Sequence, residues 1–163
     1  INHGSNASVN VVYSGTMAAV LESAISGVPS IGFSLLDYSH QADLSSCGPV
    51  VSQIAKAVLS NGLPDGVCLN VNIPAVNGHE IRGLKVCRQG RSKWVEEFDI
   101  RTDPHKREYY WLTGYFETLE ENEDTDQWAL QNNYVSVVPV HFDLTAHYAL
   151  DTIKLWNFDA EKG

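Results

Sequence analysis

Thr16-Met17-Ala18-Ala19-Val20-Leu21-Glu22-Ser23-Ala24-Ile25-Ser26-Gly27-Val28-Pro29-Ser30-Ile31-Gly32-Phe33-Ser34-Leu35-Leu36 carries the reading of the fold. Met17, Val20, Leu21, Ala24 and Ile25 recur at i, i+3, i+4, i+7 and i+8, the spacing of a helix buried along one face. Gly27 supplies a stop and Pro29 prevents continuation. Ser30–Leu36 then reads as a short, mostly buried strand. The same order returns downstream. Pro49 opens a second helix with Val50, Val51, Ile54, Ala55 and Val58 on one face, and Gly62 and Pro64 end it. Cys68-Leu69-Asn70-Val71-Asn72-Ile73 alternates apolar and polar residues, as a strand does. Helix, strand, helix, strand is the grammar of an α/β protein with a mixed, mainly parallel sheet flanked by helices.

Outward from this core, residues 1–16 are rich in Gly, Ser and Asn and read as a loop. Ile81–Cys87 and Arg107–Leu112 are strand-like, so residues 81–115 predict an antiparallel hairpin excursion. Residues 117–126 read as a solvated acidic loop, and 124–132 as a short helix. Tyr134–Val140 is the strongest β-run, and Asp143 is placed to cap a last helix through Trp156. With no internal repeat and no linker, residues 1–163 read as one α/β domain.

Composition excludes several classes. The chain has 163 residues, 44% hydrophobic and 19% charged, which suits a packed core and not a disordered segment. A net charge of −9 argues against a nucleic-acid backbone or an anionic membrane as the main partner. Cys47, Cys68 and Cys87 show no C-x-x-C spacing and read as reduced thiols of a cytoplasmic protein, neither a disulfide framework nor a zinc site. Asn6-Ala7-Ser8 matches the short glycosylation sequon. No apolar run approaches about 18 residues, so no membrane span is expected.

The chemistry concentrates in Ile1-Asn2-His3-Gly4-Ser5-Asn6 and Tyr13-Ser14-Gly15-Thr16. A helix start presents unpaired amides and a partial positive charge, which suits a phosphate. Gly15 permits close approach, and the Ser14 and Thr16 hydroxyls flank it. The same residues also make an ordinary N-cap beside a glycine turn. Asn2 and Asn6 offer neutral oxygens of the kind magnesium or manganese accept, but carbonyls alone seldom hold such an ion, and asparagine is common in turns. Asp143 and His147 stand four apart, suiting either proton transfer or an N-cap with a structural histidine. A Ser14–His147–Asp143 triad lacks the G-x-S-x-G elbow. Trp94, Tyr109, Tyr110, Trp111 and Tyr115 suit a nucleobase stack, a packed hairpin or a subunit interface.

These blocks resemble the SurE family of 5′-nucleotidases, whose Gly-Ile-Asn-x-Gly-x-Asn loop precedes Tyr-Ser-Gly-Thr and an Ala-rich helix. The likeness continues through Leu69-Asn70-Val71-Asn72-Ile73-Pro74, Tyr134-Val135-Ser136-Val137-Val138-Pro139 and Asp143-Leu144-Thr145-Ala146-His147. It departs at Ser8, where the family often has Gly, and at Asn10, where it often has Asp. The resemblance implies a SurE-like, Rossmann-like fold and a hydrolase that removes phosphate from nucleoside 5′-monophosphates with a divalent metal ion, Mg or Mn. It makes Asn2 a metal ligand and puts Asn6, Ser14, Gly15 and Thr16 around the phosphate. It also implies a homodimer or homotetramer associated through the hairpin. The family's acidic pair and its remaining Ser ligand have no counterpart here. The chain, which opens on Ile1 and not Met, therefore reads as the carboxy-terminal portion, without the amino-terminal half and any targeting signal it held. The cradle alone equally suits a nucleotide- or phosphate-binding module without turnover.

Overall fold

The computed structural model describes residues 1–76 and 80–158. Its main sheet has five strands: β1 (Asn2–His3), β2 (Ile31–Leu35), β3 (Val67–Ile73), β4 (Gly83–Val86) and β7 (Tyr134–His141), in the order β1-β2-β3-β7-β4. β1, β2 and β3 run parallel; β7 is antiparallel to β3 and parallel to β4. The mixed, mainly parallel sheet expected from the sequence is therefore present.

Helix α1 (Gly15–Ile25) buries Met17, Val20 and Ala24, with Leu21 partly buried, while Ile25 at its end is exposed. It ends just before Gly27, the stop that the sequence predicts. The Gly27 N–H donates to Ala24 O and Val28 N–H to Ser23 O, closing the last turn in a Schellman motif. Helix α2 (Cys47–Asn61) packs Cys47, Val50 and Ile54 against Leu35, Val71, Ile73, Val135 and Val137, the odd-numbered face of the sheet. α1 covers the other face with Cys68, and α3 (Asp126–Gln131) covers it further along with Cys87 and Val138. Burial holds all three cysteine thiols above their ordinary pKa, which suits inert core thiols.

Four expectations need correction. Residues 1–16 are not all loop: Asn2–His3 pairs with Ser34 and Leu35 as β1, and Ser8–Tyr13 forms a 3₁₀ segment. The strand at 83–86 joins the main sheet, and the antiparallel excursion is instead the separate pair β5 (Ser92–Thr102) and β6 (Glu108–Thr118). The acidic stretch is not simply solvated. Glu120 takes a bidentate bond from Arg88 at 2.9 and 3.0 Å, Asp124 bonds the same guanidinium at 2.8 Å, and Glu117 pairs with Lys93. The last helix begins late, as a 3₁₀ turn at His147–Ala149 followed by α4 (Leu150–Lys154), because Asp143 bonds Thr145 N–H in a local turn instead of capping.

Candidate functional site

The polar half of the β3 alternation is buried. Asn70 and Asn72 point to the α1 and α3 face with Ser34 of β2, and register places Asn2, Ser34, Asn72, Ser136 and Lys85 in one row across all five strands. A buried amide without a partner is costly, so this patch has to be answered by other polar groups. The loop after β1 answers it. Asn6 N–H donates to Asn72 Oδ1 at 2.8 Å, Asn6 Nδ2 to Ser34 Oγ at 2.7 Å, and Asn70 Nδ2 to Asn6 O at 2.8 Å. Asn72 Nδ2 closes the network on Asn70 Oδ1 at 3.0 Å. Among the described residues only Ser136 Oγ is a buried side-chain atom left without a partner.

The loop's turn is set by Gly4 and Ser8. Gly4 has φ +90°, its N–H donates to Leu35 O, and the Tyr38 ring fills the space a Cβ would need. Ser8 has φ 55°, a left-handed conformation uncommon for a residue with a side chain. Its hydroxyl offsets part of that cost. Ser8 Oγ donates to Gly90 O at 2.7 Å and lies 2.7 Å from Ser92 Oγ, which donates in turn. Asp126 completes the clasp. One carboxylate oxygen accepts Ser8 N–H at 2.7 Å, and the other accepts Gly90 and Gln127 N–H, both at 2.8 Å. Burial pushes this carboxyl up from its ordinary pKa, while the three amides pull it back down. Asp126 thus joins the loop, the hairpin root and α3. No local motif marked it, since its partners lie 118 and 36 residues away in sequence.

From Ser8 the 3₁₀ segment leads straight to the start of α1. Ser14 is the N-cap, its Oγ accepting Met17 N–H at 3.0 Å. The Gly15 and Thr16 amides have no acceptor among the described residues, and the space beside Gly15 is open. Thr16 Cγ2 lies 3.6 Å from where a Cβ on Gly32 would stand, two residues before Ser34. The structure therefore brings Asn6, Ser14, Gly15 and Thr16 to one end of the β1–loop–α1 unit, beside the carboxyl ends of parallel strands. Asn6 is the buried post of the loop; Ser14, Gly15 and Thr16 form its accessible end. Asn2 is half-buried, and its Nδ2 donates to Gly4 O at 3.1 Å.

The family model described as survival protein SurE matches residues 1–96, more than half of the chain. The chain belongs to the SurE family. It is 57% identical over 159 residues to the 5′-nucleotidase SurE of Christiangramia forsetii, covering 98% of this chain and 61% of that relative. The 5′-nucleotidase SurE of Flavobacterium psychrophilum is 52% identical over 159 residues, covering 98% and 62%. The chain thus spans about three fifths of these relatives' length. The crystal structure of the SurE protein from Aquifex aeolicus superposes with a TM-score of 0.78 at 38% identity, over 94% of this chain and 62% of that one. A Gly at position 8 would adopt the left-handed backbone there without the cost that Ser8 carries.

Asp143 and His147 lie apart from this site in what the contacts show. His147 Nε2 is 2.7 Å from Asp143 Oδ2, and Ser14 Oγ is engaged by Met17. Hydrogen bonds from Thr145 and His147 hold the Asp143 carboxyl well below the ordinary range. Among the described residues no group of three His, Cys, Asp or Glu side chains is arranged to hold a metal ion, and no helix is long and apolar enough to cross a membrane.

Proposed function

We propose that the chain is the phosphate-binding part of a metal-dependent phosphomonoester hydrolase that acts on nucleoside 5′-monophosphates. One observation carries the reading: an eleven-residue helix, capped by Ser14, opens its unpaired Gly15 and Thr16 amides beside an anchored loop. Such amides and the helix dipole stabilise a dianion, and a preorganised cradle holds it without rearrangement. The name 5′-nucleotidase carried by the relatives supports the same reaction.

The described residues do not by themselves fit a divalent cation. Asn2 offers one neutral oxygen, whereas hard cations need carboxylates. In this reading Asn2 would be one ligand to Mg or Mn, and the charged ligands would come from outside the described residues. The metal would supply Lewis acidity; this chain's own residues bind and orient the phosphate. The hairpin would join copies into a homodimer or homotetramer.

The test is a titration of the full-length protein with manganese and magnesium while AMP hydrolysis is followed. Metal-dependent phosphate release is expected, with Asn2→Ala shifting the activation curve to higher metal concentration. AMP binding without release at any metal concentration would replace the hydrolase with a binding module. Identical activation curves would remove Asn2 from the ligand set.

A further inference from the structure

The loop that leads to α1 is held at two points, and they belong to different parts of the molecule. Asn6 is bonded to Ser34, Asn70 and Asn72 of the main sheet. Ser8 is bonded to the root of the hairpin, which forms a sheet of its own. Its hydroxyl donates to Gly90 O and accepts from Ser92, while its N–H and that of Gly90 share the carboxylate of Asp126. The fit is close: a Cβ on Gly90 would stand 2.9 Å from Asp126 Oδ1. Both serines are buried, so neither hydroxyl can exchange its partner for water without opening the clasp.

Ser8 is also where the 3₁₀ segment starts. Six residues on, the segment meets Ser14, the N-cap of α1, a span of about 12 Å at the ordinary 3₁₀ rise. Along that span Val11 packs against the α1 core, while Val12 and Tyr13 are exposed. The segment therefore has little packing of its own, and its direction is set at its ends. A glycine at position 8 would keep the N–H bond to Asp126 and lose both hydroxyl bonds. The direct link to the hairpin root belongs to the serine side chain.

We propose that Ser8 and Ser92 are positioning residues for the phosphate site: their hydroxyl pair latches the 3₁₀ segment to the hairpin root and so sets where Ser14, Gly15 and Thr16 meet the anion. The proposal rests on the phosphate reading of those three residues. Both hydroxyls are spent within the clasp, so they act through the segment and not on the anion. A cradle latched in one conformation binds at its intrinsic affinity, and a loosened one binds in proportion to the fraction still in place. Loss of a hydrogen bond within the buried pair lowers that fraction by up to about tenfold.

The experiment titrates inorganic phosphate calorimetrically into the full-length protein with manganese present. Ser8→Ala and Ser92→Ala each raise the dissociation constant about three- to tenfold. The double variant binds no more weakly than the weaker single variant, because both substitutions remove one link. Ser8→Gly deletes the hydroxyl while relieving the left-handed backbone, so it weakens phosphate binding in a protein that folds without strain there. Ile54→Val, in the core on the opposite face of the sheet, lowers the urea midpoint and leaves phosphate affinity unchanged. Amide exchange over residues 8–14 quickens in Ser92→Ala, although the two serines are 84 residues apart in sequence. Losses that add in the double variant, or an equal loss in Ile54→Val, would overturn the latch. A parent that binds no phosphate would sink the phosphate reading and this proposal together, whereas variants that bind as well as a binding parent would sink the latch alone.

Discussion

Asp126 shows what one buried charge does in this molecule. Both its oxygens accept amides, three in all: those of Ser8 and Gly90, from segments far apart in sequence, and that of Gln127 in its own helix. Replacing it by Ala leaves Ser8, Gly90 and Gln127 N–H without an acceptor. Each buried donor left unpaired costs about 1–3 kcal/mol, so Asp126→Ala is expected to lose about 3–5 kcal/mol in urea unfolding. Asparagine keeps one acceptor oxygen for part of these donors, so its loss is smaller than that of Ala. The pH dependence has a definite sign. Burial raises this carboxyl in the folded state above the ordinary 3.8. Its contribution is therefore greatest below that value and declines as pH rises through the folded pKa. The stability of the parent minus that of Asp126→Asn is expected to fall from pH 3.8 upward and then level off. A difference that grows with pH would mean that the amides outweigh burial.

At the scale of elements, the start of α1 serves two ends that substitutions can separate. As N-cap, Ser14 Oγ accepts Met17 N–H. Ser14→Ala is expected to cost about 1 kcal/mol and Ser14→Gly only a few tenths, since Gly tolerates the cap conformation. A phosphate contact loses the same hydroxyl in both. Inhibition by inorganic phosphate should therefore weaken equally in the two variants while their urea midpoints differ. Unchanged inhibition in Ser14→Gly would leave Ser14 with the cap alone. The cap, α1, α2, β2, β3 and β7 were legible because apolar spacing and Gly or Pro punctuation are local signals. What was not legible came from distance. β1 is two residues long and exists through its pairing with Ser34 and Leu35. Residues 83–86 read in sequence as part of the hairpin, and only pairing with β7 assigns them to the main sheet. Asn70 and Asn72 read as the wet half of an alternation, yet Asn6 covers them. The signature residues were legible through their family pattern, whereas the Asp126 clasp that fixes them had no pattern to announce it.

At the scale of the whole molecule, the hairpin is the part that does not bury itself. Its strands are eleven residues each, and their two faces differ in character. Register puts Trp94 opposite Phe116, Phe98 opposite Leu112 and Ile100 opposite Tyr110 on one face. The other face alternates charge with aromatics, and Arg101 lies over the Trp111 ring. On the apolar face the root pair packs edge-on, while Phe98, Ile100, Tyr110 and Leu112 beyond it are each more than half exposed. A contiguous apolar strip of this kind on a two-stranded ribbon would suit an association surface, because an isolated hairpin gains little from its own pairing. The expected outcome is that the parent sediments as a dimer or larger. Phe98→Glu, which places a charge in the strip without touching Asp126 or Ser14, should shift it toward monomer. Sedimentation identical to the parent's would assign association to another surface.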